Sequence, residues 1–184
     1  MPSRYAGVAP TLPGVLIRDA QPEDAYAVES VRVRGWQIAY RHVFPPAGLD
    51  ALAVDETRWR RRFHTPPPGW ATFVAERDGE VVGFASVGPS RDDDTTGELY
   101  AIYVDPDVWS EGAGRALLER AEERLADGYE EATLWVLTEN PRARRFYEQA
   151  GWAADGTEKT EEWLGVEASE TRYRKSFKSS RSRS

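Results

Sequence analysis

The chain has no cysteine, one methionine and only two histidines, His42 and His64, among its 184 residues. Without cysteine there are no disulfides, no thiolate metal ligands and no cysteine nucleophile. Two histidines also remove most histidine-built metal sites and most nucleophile–base triads, so no metal is expected. Any group transfer must proceed without a covalent cysteine intermediate. No stretch approaches the 18 or so consecutive apolar residues of a membrane-spanning helix. The opening MPSRYAGVAPTLPGV holds one arginine and only short apolar pieces, unlike a secretory signal. A cytoplasmic protein without membrane partners is the expectation.

What is present is ordinary for a globular domain: 40% hydrophobic and 30% charged residues, in a length that suits one core. The charge is uneven. Residues 172–184 carry six basic side chains and no acid, so a chain of net −7 holds −13 before them. A body that acidic speaks against binding phosphate backbones, and nucleic acid is not an expected partner. The acidity either draws cationic partners through the long-range field or serves solubility alone. The closing KSSRSRS is of low complexity, so 178–184 reads as a disordered basic Ser/Arg tail. Residues 1–14 read as a flexible extension, which leaves 15–177 as the domain.

Val15 to Arg18 reads as a strand that runs through Pro22-Glu23-Asp24 into a helix marked by Val28, Val31, Gly35, Ile38 and Ala39. A second helix is predicted over about 47–63, ended by Pro66-Pro67-Pro68-Gly69. Asp78-Gly79 between two β-rich runs predicts a hairpin of 72–76 with 81–87. Glu98 to Val104 is apolar on both faces, as a central strand should be. Leu117, Leu118, Ala121 and Leu125 mark a helix from Gly112 to about Ala126. A strand at 132–137, a helix at 142–150 and a last strand at 170–177 follow, with room for one more near Trp152. The order predicts an α/β (α+β) domain.

Between the central strand and the next helix lies Val104-Asp105-Pro106-Asp107-Val108-Trp109-Ser110-Glu111-Gly112-Ala113-Gly114-Arg115. The first turn of a helix leaves backbone N–H groups without intrahelical partners, at the positive end of the helix dipole. Such a start is an anion site. Gly112 and Gly114 present no Cβ to a phosphate, and Arg115 adds a positive charge. Glu111 is expected to point its side chain to solvent. The segment is no P-loop, because no Lys-Ser or Lys-Thr follows the glycines. Nor is it a dinucleotide fingerprint, because Leu117 stands where a third glycine is required.

These residues resemble the GNAT superfamily of N-acetyltransferases, whose signature runs V-x-P, a short loop, then [QR]-x-x-G-x-[GA]. Val104, Pro106, Gly112 and Gly114 match in spacing, while Trp109 departs from the signature's Gln or Arg. Asn140 to Trp152 is similar to the family's N-x-x-A-x-x-[FL]-Y-x-x-x-G-[FW] segment. The resemblance covers nearly the whole domain. It implies a central mixed, mostly antiparallel sheet with helices on both faces, and strands splayed apart where the cofactor enters. The implied co-substrate is acetyl-CoA. Its pyrophosphate would lie on the backbone of Ser110, Glu111, Gly112, Ala113, Gly114 and Arg115, and its pantetheine arm along the backbone of Ile102, Tyr103 and Val104.

By the same resemblance, Asn140 hydrogen-bonds the cofactor arm, although an N-cap for the helix after it is equally open. Tyr147 assists the leaving thiolate, or is simply an aromatic on the buried helix face. Passing a proton from a phenol of pKa ~10 to a thiolate of pKa ~8.5 is uphill by roughly 2 kcal/mol, so a hydrogen bond is the alternative to acid catalysis. Glu98 stands where histone-acetyltransferase-like members carry a catalytic glutamate, and acts as general base through water or as a solvated strand-end carboxylate. The histidines are expected in surface or packing roles. Trp36, Trp59, Trp70 and Trp163 either line an acceptor pocket or belong to the core. Asp92-Asp93-Asp94 attracts a cationic acceptor or forms a plain turn. The implied activity is acetyl transfer to a primary amine, on a small molecule or a peptide, in a ternary complex. A CoA-binding module without turnover and an enzyme for another acyl-CoA are the alternatives. A homodimer is compatible with the resemblance.

Overall fold

The computed structural model describes residues 14–93 and 95–177. The basic tail and all of the N-terminal extension except Gly14 therefore lie outside the described residues, as does Asp94. Strand β1 (Leu16–Asp19) leads through a 3-10 turn, Pro22–Asp24, into helix α1 (Ala25–Ala39). Helices α2 (Pro46–Asp50) and α3 (Thr57–His64) follow, then β2 (Ala71–Arg77), β3 (Glu80–Pro89) and β4 (Gly97–Val104). Helix α4 (Ala113–Ala126), β5 (Glu131–Leu137), α5 (Pro141–Gln149), β6 (Ala153–Trp163) and β7 (Val166–Ser176) complete the order.

The seven strands form one sheet in the order β1-β2-β3-β4-β5-β7-β6, antiparallel at every junction except β4 with β5. Asp78 and Gly79 have φ of 53° and 83°, as the predicted two-residue hairpin turn requires. Alternation along the strands sorts side chains to the two faces. Phe73, Ala75, Ala85 and Val87 meet Leu117, Leu118 and Ala121 of α4. Val74 and Phe84 point the other way, onto Val28 and Val31 of α1 and Trp59 of α3. Each large apolar side chain buried in this way contributes about 1.5–3 kcal/mol.

One expectation is corrected. The single helix predicted over about 47–63 is two, because residues 51–56 lack helical structure. The further strand expected near Trp152 is present as β6, paired with β7 on both sides of an irregularity between Ala154 and Glu158. One marker residue is also misplaced: Ile38, assigned to the buried stripe of α1, is 47% exposed.

Strands β4 and β5 pair over only three positions, Gly97 with Ala132, Glu98 with Thr133 and Leu99 with Leu134. Beyond them the strands part. The register of β4 against β3 shifts at the same place, since Val87 faces Leu99 while Ser86 faces Ala101. Tyr100 is thus the extra residue of a β-bulge, which bends the strand and breaks its ladder locally. Its ring is pinned by stacking on Trp70 at 4.0 Å.

Candidate active site

The parting of β4 and β5 opens a cavity of about 870 Å³ that reaches both faces of the sheet. On one side its wall is the loop before α4 together with α4 and α5. On the other it is α1 and the β6–β7 hairpin. Ile102, Tyr103 and Val104 run along the rim between the two sides.

On the α4 side, Ser110 and Gly112 adopt left-handed backbone angles, φ 68° and 91°. The second is accessible to glycine at no steric cost. Gly112 caps α4 without any side-chain hydrogen bond. The first intrahelical bond of the turn runs from Ala116 N–H to the Gly112 carbonyl, 3.1 Å. The N–H groups of Ala113, Gly114 and Arg115 therefore have no helical partner. Ser110, Gly112, Gly114 and Arg115 line the cavity; Ala113 turns its methyl into the core. Glu111 does not simply point to solvent, for it forms an ion pair with Arg77 at the end of β2, away from the cavity.

Trp109 donates from its indole N–H to the Val104 carbonyl at 2.8 Å, tying the loop to the end of β4. Its ring also carries the guanidinium of Arg142, 3.7 Å from the centroid. Burial draws the Arg142 pKa down, and among the described residues no carboxylate opposes that shift. Arg142 and Arg145 both line the cavity, a basic pair on α5 that the motifs do not include.

Asn140 caps α5, its Oδ1 accepting from Ala143 N–H at 3.0 Å. The cap leaves its amide hydrogens toward the cavity side, where the Tyr40 hydroxyl lies. Tyr147 lines the cavity too. Burial raises its pKa, with the nearby Tyr103 adding to the effect, and no hydrogen bond to the described residues counters it. Tyr40 and Tyr103 are likewise raised by burial. All three phenols are neutral donors at working pH.

Glu98 is where the structure departs most from expectation. Its side chain is fully buried in the paired section of β4 and does not reach the cavity wall. Both carboxylate oxygens are engaged by Arg91, through its guanidinium and its backbone N–H. Arg91, not Glu98, faces the cavity. His42 contacts the Glu139 carbonyl at 2.7 Å and His64 ends α3, and neither lines the cavity. Asp93 folds its own turn by accepting from Thr95 and Thr96, and Asp92 accepts from the Trp135 indole. Trp59 is core and Trp70 a platform for Tyr100, whereas Trp36 and Trp163 do line the cavity.

The α1 side is an aromatic chamber. Trp36 stacks on Phe44 at 5.8 Å and lies 5.4 Å from Trp163, and its indole donates to the Tyr103 hydroxyl at 2.8 Å. Gly35 makes room for this, since a Cβ there would fall 3.1 Å from the Tyr103 ring. Lys159, Glu161 and Trp163 alternate along β6 and so share one face, with Glu170 of β7 directly across from Lys159. Among the described residues there is no cluster of three or more metal-ligating side chains, and no helix is long and apolar enough to cross a membrane.

The acetyltransferase (GNAT) family model matches residues 32–152. The chain is similar to the uncharacterized N-acetyltransferase YuaI of Bacillus subtilis, 37% identical over 69% of this chain and 74% of that one. It is also similar to a probable N-acetyltransferase of Mycobacterium tuberculosis, 27% identical over 77% and 82% of the two chains. Among solved structures, PaiA N-acetyltransferase of Thermoplasma acidophilum, in complex with coenzyme A, superposes with a TM-score of 0.71 at 18% identity, over 89% of this chain and 99% of that one. The yncA protein of Salmonella typhimurium, with its cofactor acetyl-CoA, gives 0.72 at 20% identity over 92% and 97%. The likeness to the two structures concerns the fold, while the family match and the identity to YuaI fix descent: the chain belongs to the GNAT family of acetyltransferases.

Proposed function

We propose that the protein transfers the acetyl group of acetyl-CoA directly to a primary amine, with both substrates bound at once. The observation that carries this is the cavity itself. It joins the helix start at Gly112, where no side chain caps the free N–H groups, to an aromatic chamber on the opposite face, through the gap between β4 and β5. A long anionic cofactor fits the first end and an amine the second, so that they meet in the gap. That two structures of the same fold were solved with coenzyme A or acetyl-CoA supports the same choice of cofactor.

The backbone N–H groups of residues 112–115 would hold the pyrophosphate, with Arg142 and Arg145 adding charge. The pantetheine arm would pair with the free edge of β4 at Ile102 as an added strand, because the backbone groups of Tyr103 turn to β3. At Val104 one carbonyl lone pair is already used by Trp109, which leaves its N–H as the chief contribution. The neutral amine attacks the thioester carbon, its nitrogen gives up a proton to solvent, and the C–S bond breaks with its electron pair left on sulfur. Tyr147, whose pKa is raised by burial, is a poor acid but a good neutral donor, and it would stabilise the departing thiolate by a hydrogen bond. Glu98 would act at one remove as a positioning residue that holds Arg91 at the chamber.

The test is release of free thiol from acetyl-CoA across a panel of amines. Tyr147→Phe is expected to lower kcat at least tenfold while acetyl-CoA affinity stays within about twofold, because the lost bond acts on the leaving group. Unchanged kcat would remove Tyr147 from the reaction. No thiol release with any amine would overturn the activity.

A further inference from the structure

Three phenols line the cavity: Tyr40 at the end of α1, Tyr103 on β4 and Tyr147 on α5. Acetyl transfer as proposed employs the hydroxyl of Tyr147 alone. The ring of Tyr40 is held edge-on by Trp36 at 5.1 Å and Phe44 at 6.0 Å. Its hydroxyl lies beside the Asn140 amide and the Tyr103 hydroxyl, but no described residue completes a hydrogen bond of standard geometry with it. Nor is it sealed off. Among the described residues, the Trp163 indole nitrogen is the one fully buried side-chain polar atom that lacks a partner. The unpartnered Tyr40 hydroxyl falls outside that class and so keeps open surface, and the place of the residue in the wall gives that surface to the cavity.

The neighbours decide what this hydroxyl can do. Asn140 Oδ1 is used by the Ala143 N–H at 3.0 Å, so toward Tyr40 the side chain presents only amide hydrogens. Tyr103 accepts at 2.8 Å from the Trp36 indole, a group that can only donate, and its own proton is free to turn to Tyr40. With hydrogens offered from both sides, the Tyr40 oxygen accepts and its O–H is directed into the cavity. Such a chain of donors polarises the last hydroxyl and strengthens the bond it gives. We infer that Tyr40 is a further catalytic residue, whose hydroxyl donates to the thioester carbonyl oxygen of acetyl-CoA and to the oxyanion formed when the amine adds. The inference rests on the proposed acetyl transfer and assigns it a second donor. Tyr147 comes from α5, on the side of the helix start at Gly112, and serves sulfur. Tyr40 comes from α1, on the acceptor side, toward which the acetyl group would project. The proton stays on Tyr40 throughout: the C=O electron pair moves onto oxygen as the C–N bond forms, and returns as the C–S bond breaks.

The experiment is isotope-edited infrared spectroscopy of acetyl-CoA labelled at the acetyl carbonyl carbon, bound to the full chain without an amine. A hydrogen bond weakens the C=O bond, so the wild-type band should lie below that of free acetyl-CoA. In Tyr40→Phe, which keeps the ring, the band should return most of the way to the free position. In Tyr147→Phe it should stay where the wild type has it. With the most active amine, Tyr40→Phe should lower kcat by about a hundredfold, the usual cost of one lost oxyanion donor, while acetyl-CoA affinity stays within about threefold. A wild-type band at the free position overturns the inference without recourse to any variant. A band indifferent to Tyr40→Phe, a band moved as far by Tyr147→Phe, or a kcat loss under about threefold would each overturn it too, while acetyl transfer stands. Failure of acetyl-CoA to bind, or absence of turnover with every amine, would remove both.

Discussion

Trp109 illustrates how one residue can leave a motif without abolishing its purpose. The loop it occupies is held by its indole bond to Val104, and its ring supports Arg142 beside the cavity. Where the signature has a polar Gln or Arg in the loop, this chain places Arg142 of α5 beside the cavity instead. Arg142→Gln should weaken coenzyme A binding by about fivefold to tenfold at low ionic strength, and by less as salt rises, because the contact is partly screened. Titration calorimetry at two salt concentrations checks this; equal affinities would place the guanidinium off the cofactor. The turn into α4 was legible in the sequence because Gly112 suits the left-handed backbone at the helix start. Glu98 misled because its position on β4 was readable, whereas its capture by Arg91 depends on how the loop before it folds back.

At the level of elements, the acceptor wall was the hardest part to read. Its residues come from α1, β6 and β7, far apart in the chain, and although the sequence places a strand near Trp152, the charged residues of β6 hide how far it runs. The hairpin that joins β6 to β7 was hidden as well, because its turn is Leu164-Gly165, with φ of 52° and 77°, and leucine is no turn former. The left-handed leucine costs roughly 1–2 kcal/mol. Packing offsets this: Leu164 sits against Gly48 of α2, close enough that a Cβ there would lie 3.4 Å from it. Gly165 has open space around it. Gly165→Ala should therefore destabilise the protein by about 1 kcal/mol through backbone strain alone. A denaturant midpoint unchanged by the substitution would show that the turn relaxes freely. Because Trp163 is the residue before this turn, the packing of Leu164 on α2 helps hold the hairpin wall of the chamber.

Across the whole molecule, two buried carboxylates tie the N-terminal elements together. Burial alone would raise the pKa of Asp24 and Glu29, but hydrogen bonds to the charged forms prevail and lower both. Arg18 and the Gln21 N–H hold Asp24, while Arg32 and the Trp59 indole hold Glu29. A depressed folded pKa stabilises above the unfolded value, and that stability is lost as pH falls through the folded one. The denaturant midpoint should drop below about pH 4, and the drop should be shallower in Asp24→Asn and Glu29→Gln, each measured against its own neutral-pH midpoint. A wild-type midpoint that holds to about pH 2 would count against both groups. The three-rung junction of β4 with β5 has a different consequence for the molecule at large. It makes the sheet two panels on a narrow hinge, with a missing slat between them. A molecule that hydrogen-bonds to the exposed edges completes the panel, so cofactor occupancy and mechanical integrity of the sheet rise together. On the proposed function, stability would track cofactor concentration by mass action, and the cofactor would complete the scaffold as well as react.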